Sequence, residues 1–412
     1  MKRVGLLFQM WFFAVCVFAQ PYEYPYQIDQ YDFIHYDLNK FAFFDDSSHF
    51  TELFSKYDQL VSKGEGKLKI VHIGGSHLQA DIYSDRIRKR LQTFQPGSNG
   101  GRGFVFPYTI AKTNNPTSYK IKYSGRWVSC TNVEKNKTCT LGLSGISVTT
   151  IDTNAYISLS LEPGEVYYDF NRVRIFHQQD STAFDLVISA ESPVLEMHKD
   201  CTRGITEVVF EDYIDRLTLS FQKTDSLQNA FMLYGLSLET DDPGVVYNSI
   251  GVNGAKLPSY LRCQLFEEHL AALDPDLVVL SIGTNDAYTR YFQPETYRAN
   301  YDSLIGRIIT AVPDAAILIT VPNDSYLYKR YINPNTGEVR EVINRLAVQY
   351  NCGVWDFYTV MGGLNSIIVW QRFGLAKRDR IHFTRKGYEL MGDLFFNAFL
   401  QSYDNYLDTG EQ

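Results

Sequence analysis

The sequence predicts an α/β protein: a parallel sheet covered by helices on both faces, with an all-β domain inserted into the chain. Two observations carry this. Near-continuous apolar runs such as Leu277 to Ile282 alternate with segments of helical period, the pattern of strands buried on both faces. From about Thr117 to Asp242 the texture changes to short stretches of alternating apolar and polar residues between turn residues. Many short strands of that kind predict a β-sandwich. An insertion into an exposed loop is tolerated because domain termini lie close together.

Taken in order, residues 1–19 read as a secretory signal peptide. Met1-Lys2-Arg3 precedes an apolar run ending at Val17-Phe18-Ala19, with cleavage expected after Ala19. The run is too short for a comfortable membrane span, and Gln9 interrupts it. Lipidation at Cys16 is disfavoured, because Val15 stands where a small residue is expected. The chain is therefore expected to be exported, to the periplasm or beyond, with no membrane span in the mature protein. Residues 20–66 form an extended arm and then a helix from Ser48 to Lys63, where Phe50, Leu53, Phe54, Tyr57 and Leu60 recur at helical spacing. The first α/β part covers 67–116. It holds the strand before Gly74-Gly75-Ser76 and a helix from Asp81 to Phe94.

The inserted β domain covers 117–242, with strands at 119–123, 155–159, 173–176, 217–221 and 232–236. The second α/β part covers 243–405. It is read as a helix 258–273, a strand 277–282, a helix 295–311, a strand 316–321, a helix 338–350, a strand 353–357 and a helix from Arg385 to about Leu400. Residues 406–412 are a tail.

Composition bounds the function. The 412 residues suffice for two domains, and 45% hydrophobic with 21% charged residues is ordinary for a globular protein. A formal charge of -8 with no local basic run argues against a nucleic-acid partner. The five cysteines after the leader are Cys130, Cys139, Cys201, Cys263 and Cys352. Export permits disulfides, Cys130 and Cys139 are the closest pair, and an odd count leaves at least one thiol free or paired between chains. Zinc has no support, for there is no CxxC pair and no HExxH helix. The glycine-rich loop 96–103 lacks the lysine and spacing of a phosphate loop.

Ligands of parallel sheets bind beyond the C-terminal strand ends. Ser76, Gly254 and Asn285 each follow a predicted strand, so one crevice accommodates all three. A serine hydroxyl needs a base to take its proton and a carboxylate to orient that base. His382 is the best candidate, three residues after Asp379 in a loop before a helix. His77 neighbours Ser76 and is expected to point away from it. His72 lies inside a strand, His269 on a helix, and His177 and His198 in the insert. Donors for an oxyanion are the Ser76 N–H, a glycine N–H and the Asn285 amide.

Gly74-Gly75-Ser76-His77, the stretch Gly251 to Gly254, Gly283-Thr284-Asn285-Asp286 and Asp379-Arg380-Ile381-His382 occur in the order of the four blocks of the SGNH (GDSL-like) hydrolases. The chain resembles that family over about 67–112 and 246–400. The first block departs from it: Gly75 stands where Asp is usual and His77 where Leu is usual.

The resemblance implies a flavodoxin-like three-layer α/β/α fold. Ser76 would be the nucleophile, His382 the base and Asp379 its partner. The oxyanion hole would be Ser76, Gly254 and Asn285, with Gly251 as the alternative glycine, and no metal or cofactor is involved. A β module between the first two blocks is similar to the layout of peptidoglycan O-acetylesterases, whose insert resembles a carbohydrate-binding module. The expected activity is removal of O-acetyl groups from a glycan. The alternatives are an O-acetyltransferase of the same fold and a non-catalytic glycan-binding protein.

Overall fold

The computed structural model describes residues 28–44 and 47–409. The expected signal peptide and Cys16 lie outside the described residues. The central sheet has six strands in the spatial order Phe41–Ala42, Gly353–Trp355, Ala316–Thr320, Leu277–Ser281, Lys67–Gly74 and Gly244–Gly251. The last five are parallel. Lys67–Gly74 comes first in the chain but lies between the second and third, which is the flavodoxin-like order. The arm contributes the antiparallel edge strand Phe41–Ala42, which the sequence pattern reads only as extended chain.

Period-two alternation divides each strand between two cores. Val71 and Ile73 face a layer built from Phe266–Leu273, Pro294–Ala311 and Asn335–Tyr350. Leu68 and Ile70 face Ser48–Lys63, Tyr83–Thr93 and Arg385–Thr409. The last helix thus runs well past its expected end near Leu400.

Two expected helices are broken. The 258–273 segment folds as Leu257–Leu261 and Phe266–Leu273, with the Leu265 N–H drawn off to the carbonyl of Leu141 in the insert at 3.0 Å. The 81–94 segment begins at Tyr83, after a separate short helix Ser76–Gln79. Asp81 at the break has φ 47°. Its buried carboxylate accepts bonds from Ser84 at 2.6 Å, Arg88 at 2.8 Å and Arg102. Burial alone would raise its pKa, but the two guanidinium groups hold it below the usual range.

The insert is two antiparallel sheets of seven and four strands. It contains every strand read from the alternation, and also Val128–Thr131, Ile146–Thr150, Asp185–Ser189, Val194–Asp200 and Ile205–Ile214. The seven-stranded sheet includes Gly103–Val105, paired with Phe231–Glu239, so it takes in chain ahead of residue 117. Its core is continuous with the α/β core: Leu143, Phe176 and Leu233 belong to the same buried cluster as Phe266, Leu270 and Val278. The His269 ring lies 5.0 Å from Phe176 and 5.2 Å from Tyr234. Cys130 and Cys139 form a disulfide, while Cys201, Cys263 and Cys352 are free.

Candidate active site

The strand Lys67–Gly74 ends beneath the Ser76 helix, and Ser76 is the first helical residue. Its N–H therefore has no intrahelical acceptor. Close packing sets the height of this turn. A Cβ on Gly251 would lie 2.3 Å from the Gln79 nitrogen and 2.7 Å from the Gly75 carbonyl oxygen, so only glycine fits under the helix.

The Ser76 hydroxyl lies 2.9 Å from His382 Nε2. His382 Nδ1 lies 3.0 Å from Asp379 Oδ2. A carboxylate only accepts, so Nδ1 donates to Asp379 and Nε2 accepts from Ser76. The other carboxylate oxygen, Oδ1, takes the backbone N–H groups of Ile381 and His382, both at 3.0 Å. Burial pushes the Asp379 pKa up, yet the bonds from His382 and Ile381 outweigh it and leave the group below its ordinary value. All three residues are half-buried, which keeps the site reachable.

Two further loops lie beside the turn that carries Ser76, since the Asn285 amide and the carbonyls of Val252 and Ala255 stand 3.4–3.9 Å from a Gly75 Cβ position. The Asn285 amide donates to the Ala255 carbonyl at 3.0 Å, which uses one of its two N–H bonds. That nitrogen lies 3.4 Å from where a Gly75 Cβ would be, so it sits beside the Ser76 turn. Gly254 is exposed with φ +79°, and nothing lies within 4 Å of its Cβ position. Between the two candidate glycines the contrast is plain: Gly251 is packed against backbone and Gly254 faces open space. The neighbour of Asn285, Asp286, accepts the Leu257 N–H at 3.2 Å, joining this loop to the one carrying Gly254. Burial pushes its carboxyl up to about 7.

His77 does not point away from the site, as its place next to Ser76 suggests it should. The short helix turns its ring toward His382, at 5.2 Å between centroids, with Nδ1 3.0 Å from the Tyr388 hydroxyl. Burial, then the His382 charge, pushes its pKa to about 3. His72 bridges the Tyr247 hydroxyl at 2.5 Å and Ser281 at 2.6 Å inside the sheet, with its pKa also pushed to about 3 by burial. His269, on its helix, and His177, in the insert, are buried against Phe176 and Phe231 respectively and take no part in the triad.

Gln79 is a site residue that the sequence pattern does not single out. It is buried, one turn beyond Ser76, and its side-chain oxygen accepts the Asn253 N–H at 2.7 Å. Its amide nitrogen donates to Thr113 at 2.9 Å and to the Asn114 side chain at 3.0 Å. Asn253 reaches the same Asn114 oxygen at 2.6 Å. Gln79 thus ties the Ser76 helix to the residue before Gly254. Its i+3 spacing from Ser76 is the signal that points to it.

Among solved structures, a peptidoglycan O-acetylesterase superposes with a TM-score of 0.71 at 22% identity, over 89% of this chain and 99% of that one. Residues 222–390 match the model of the GDSL-like lipase/acylhydrolase family. The chain has the SGNH hydrolase fold and resembles the GDSL-like family. The matched span holds Gly254, Asn285, Asp379 and His382, and Ser76 lies upstream of it. A lipase/acylhydrolase from Enterococcus faecalis aligns at 22% identity over 38% of this chain and 75% of its own, with a TM-score of 0.30. An acetyl xylan esterase aligns at 21% identity over 37% and 81%, with a TM-score of 0.31. No curated protein matches. Among the described residues no helix is long and apolar enough to cross a membrane.

Proposed function

We propose that the chain is an exported serine esterase that removes O-acetyl groups from a glycan through an acyl-enzyme on Ser76. The observation that carries this is the unbroken run of contacts Asp379–His382–Ser76 at the mouth of the sheet. His382 Nε2 takes the hydroxyl proton as Ser76 Oγ attacks the acetyl carbonyl. Charge on the carbonyl oxygen is met by the N–H groups of Ser76 and Gly254 and the second amide N–H of Asn285. Collapse of the tetrahedral intermediate breaks the C–O bond to the sugar, and His382 returns the proton to that oxygen. Water, activated by the same histidine, then releases acetate from Ser76.

A side-chain exposure of 33% at His382 supports water as the acceptor over a second sugar hydroxyl, since transfer needs water kept out. The Cys130–Cys139 disulfide supports an exported chain. The TM-score of 0.71 to a peptidoglycan O-acetylesterase over nearly its whole length supports a peptidoglycan-like substrate, with the β insert as a glycan-holding module. The test is turnover of p-nitrophenyl acetate and of O-acetylated glycan by wild type and Ser76→Ala. Activity in Ser76→Ala within a few-fold of wild type would remove Ser76 as nucleophile.

A further inference from the structure

A short hairpin, Tyr326–Leu327 with Tyr331–Ile332, sits between two of the site loops. The Tyr326 N–H donates to the Arg380 carbonyl at 3.0 Å, inside the loop that carries Asp379 and His382. Arg380 donates back to the Lys329 carbonyl at 3.1 Å, and its guanidinium lies 4.9 Å from the centre of the Tyr326 ring. On the other side the Tyr328 N–H donates to the Tyr288 hydroxyl at 2.7 Å, one residue beyond the helix Thr284–Ala287 that holds Asn285. The hairpin therefore bridges the loop that carries Asp379 and His382 and the chain just after the helix of Asn285.

The tip is more than a plain connection. Tyr328 and Lys329 both have positive φ, 52° and 63°, in a turn closed by the Arg330 N–H on the Leu327 carbonyl at 3.0 Å. Hairpin turns of this kind favour asparagine and glycine, yet two large side chains occupy them. Tyr328 is 55% exposed and Tyr331 48%. The Arg290 guanidinium stands 5.5 Å from the centre of each ring, a cation–π arrangement that holds the rings in place. Exposed tyrosines of this kind present a flat apolar face with a polar edge.

Charge gives the surface its sign. Arg290 lies against the hairpin tyrosines, Lys329 and Arg330 are in its turn, and Lys377, Arg378 and Arg380 belong to the base loop that the hairpin bonds; all but the half-buried Arg380 are exposed. Among the described residues none of the six has a carboxylate at ion-pair distance. Asp379, between Arg378 and Arg380, is the one acidic residue of these stretches, so they are net positive on a chain that carries -8 overall, which favours an anionic ligand.

We propose that this surface binds an anionic glycan strand: sugar faces lie on Tyr328 and Tyr331, and carboxylates borne by the polymer pair with Arg290, Lys329 and Arg330. It deepens the esterase reading by naming the class of glycan, and so rests on that reading.

The test measures binding by Ser76→Ala protein, which leaves the ligand uncleaved. The probes are O-acetylated peptidoglycan fragments with their carboxylates free, and the same fragments with those groups capped as amides. The free form should bind at least about tenfold tighter, and its affinity should fall as salt is raised. Adding Arg290→Glu, Lys329→Glu and Arg330→Glu should abolish that preference, while the same three changes made with Ser76 intact leave p-nitrophenyl acetate turnover unchanged. Equal binding of both probes, no binding of either, or no loss in the triple variant would overturn the proposal. Turnover of p-nitrophenyl acetate by wild type reports on the esterase reading alone, so the two ideas fail separately.

Discussion

The Asp379 carboxylate grips His382 twice, once at the ring and once at the backbone. One oxygen takes Nδ1–H at 3.0 Å, and the other takes the His382 N–H at 3.0 Å together with that of Ile381. Ring orientation and loop conformation thus depend on one side chain. Asp379→Asn should lower kcat by up to about 10⁴, the scale seen in serine proteases when the triad carboxylate stops fixing the tautomer. Steady-state kinetics on p-nitrophenyl acetate with a thermal melt will check this. A fall of less than about tenfold would mean that His382 is oriented without Asp379.

Asn285→Ala should lower kcat by about 10²–10³ with little change in KM, the range for losing one oxyanion donor. Because the same amide also holds the Ala255 carbonyl, a modest drop in melting temperature should accompany it. A rise in KM at constant kcat would instead assign Asn285 to uniform substrate binding.

Gln79 touches neither Ser76 Oγ nor a reacting atom, so its effect should be one of position. Gln79→Leu strands the Asn253 N–H and should cost about 1–3 kcal/mol of stability. It should also reduce kcat more than KM, because the Gly254 loop loses its tie to the Ser76 helix. Restoration by Gln79→Glu, whose carboxylate still accepts the Asn253 N–H, and not by Gln79→Met, would separate the hydrogen bond from side-chain volume. If stability falls and kcat does not, Gln79 is only structural.

Stability should fall in mild acid. Burial holds His72, His77 and His269 down to about 3 and His177 to about 4. The unfolded chain takes up those four protons below about pH 6.5 and the folded chain does not, so stability is lost as pH falls from there. Asp286 and Asp324 act with the opposite sign. Burial raises them to about 7 and about 6, so they add stability at low pH that fades as pH rises. Near pH 5 these six groups alone give a net of about two protons, or roughly 3 kcal/mol lost per pH unit of acidification, and the lowered carboxyls of Asp81 and Asp379 act in the same direction. Denaturant titrations at about pH 6 and about pH 4.5 will measure it, and equal stability at both values would show that the folded histidines are charged.

The parts of this protein legible in the sequence are those written in local periodicity or in a compact motif. Leu277–Ser281 and Ala316–Thr320 read as strands because both faces are buried, and Asp379 and His382 stand out because three residues separate them. The distances that join Ser76, His382 and Asp379 agree with that reading, whereas their chemical roles await the kinetics above. What was illegible depends on contacts between distant segments. The two-residue edge strand Phe41–Ala42 exists only through its pairing with Trp355 and Val354. The 258–273 helix breaks because Leu141 competes for the Leu265 N–H. The tyrosine-rich hairpin carries no period, and the cations on it and beside it come from stretches far apart in the chain.

The order of strands in the central sheet has a consequence for how the chain is made. Lys67–Gly74, which aims Ser76, has neighbours that both arise after the β insert. The Asn248 side chain bonds the Ile70 carbonyl across 178 residues of sequence. At roughly 5–20 residues per second, the ribosome needs on the order of ten to thirty-five seconds to supply that partner. Throughout that interval the strand that leads to Ser76 exists with two open edges and no sheet to join. A growing chain therefore carries Ser76 without its partners, and the contact with His382 forms only after residue 382 has been made.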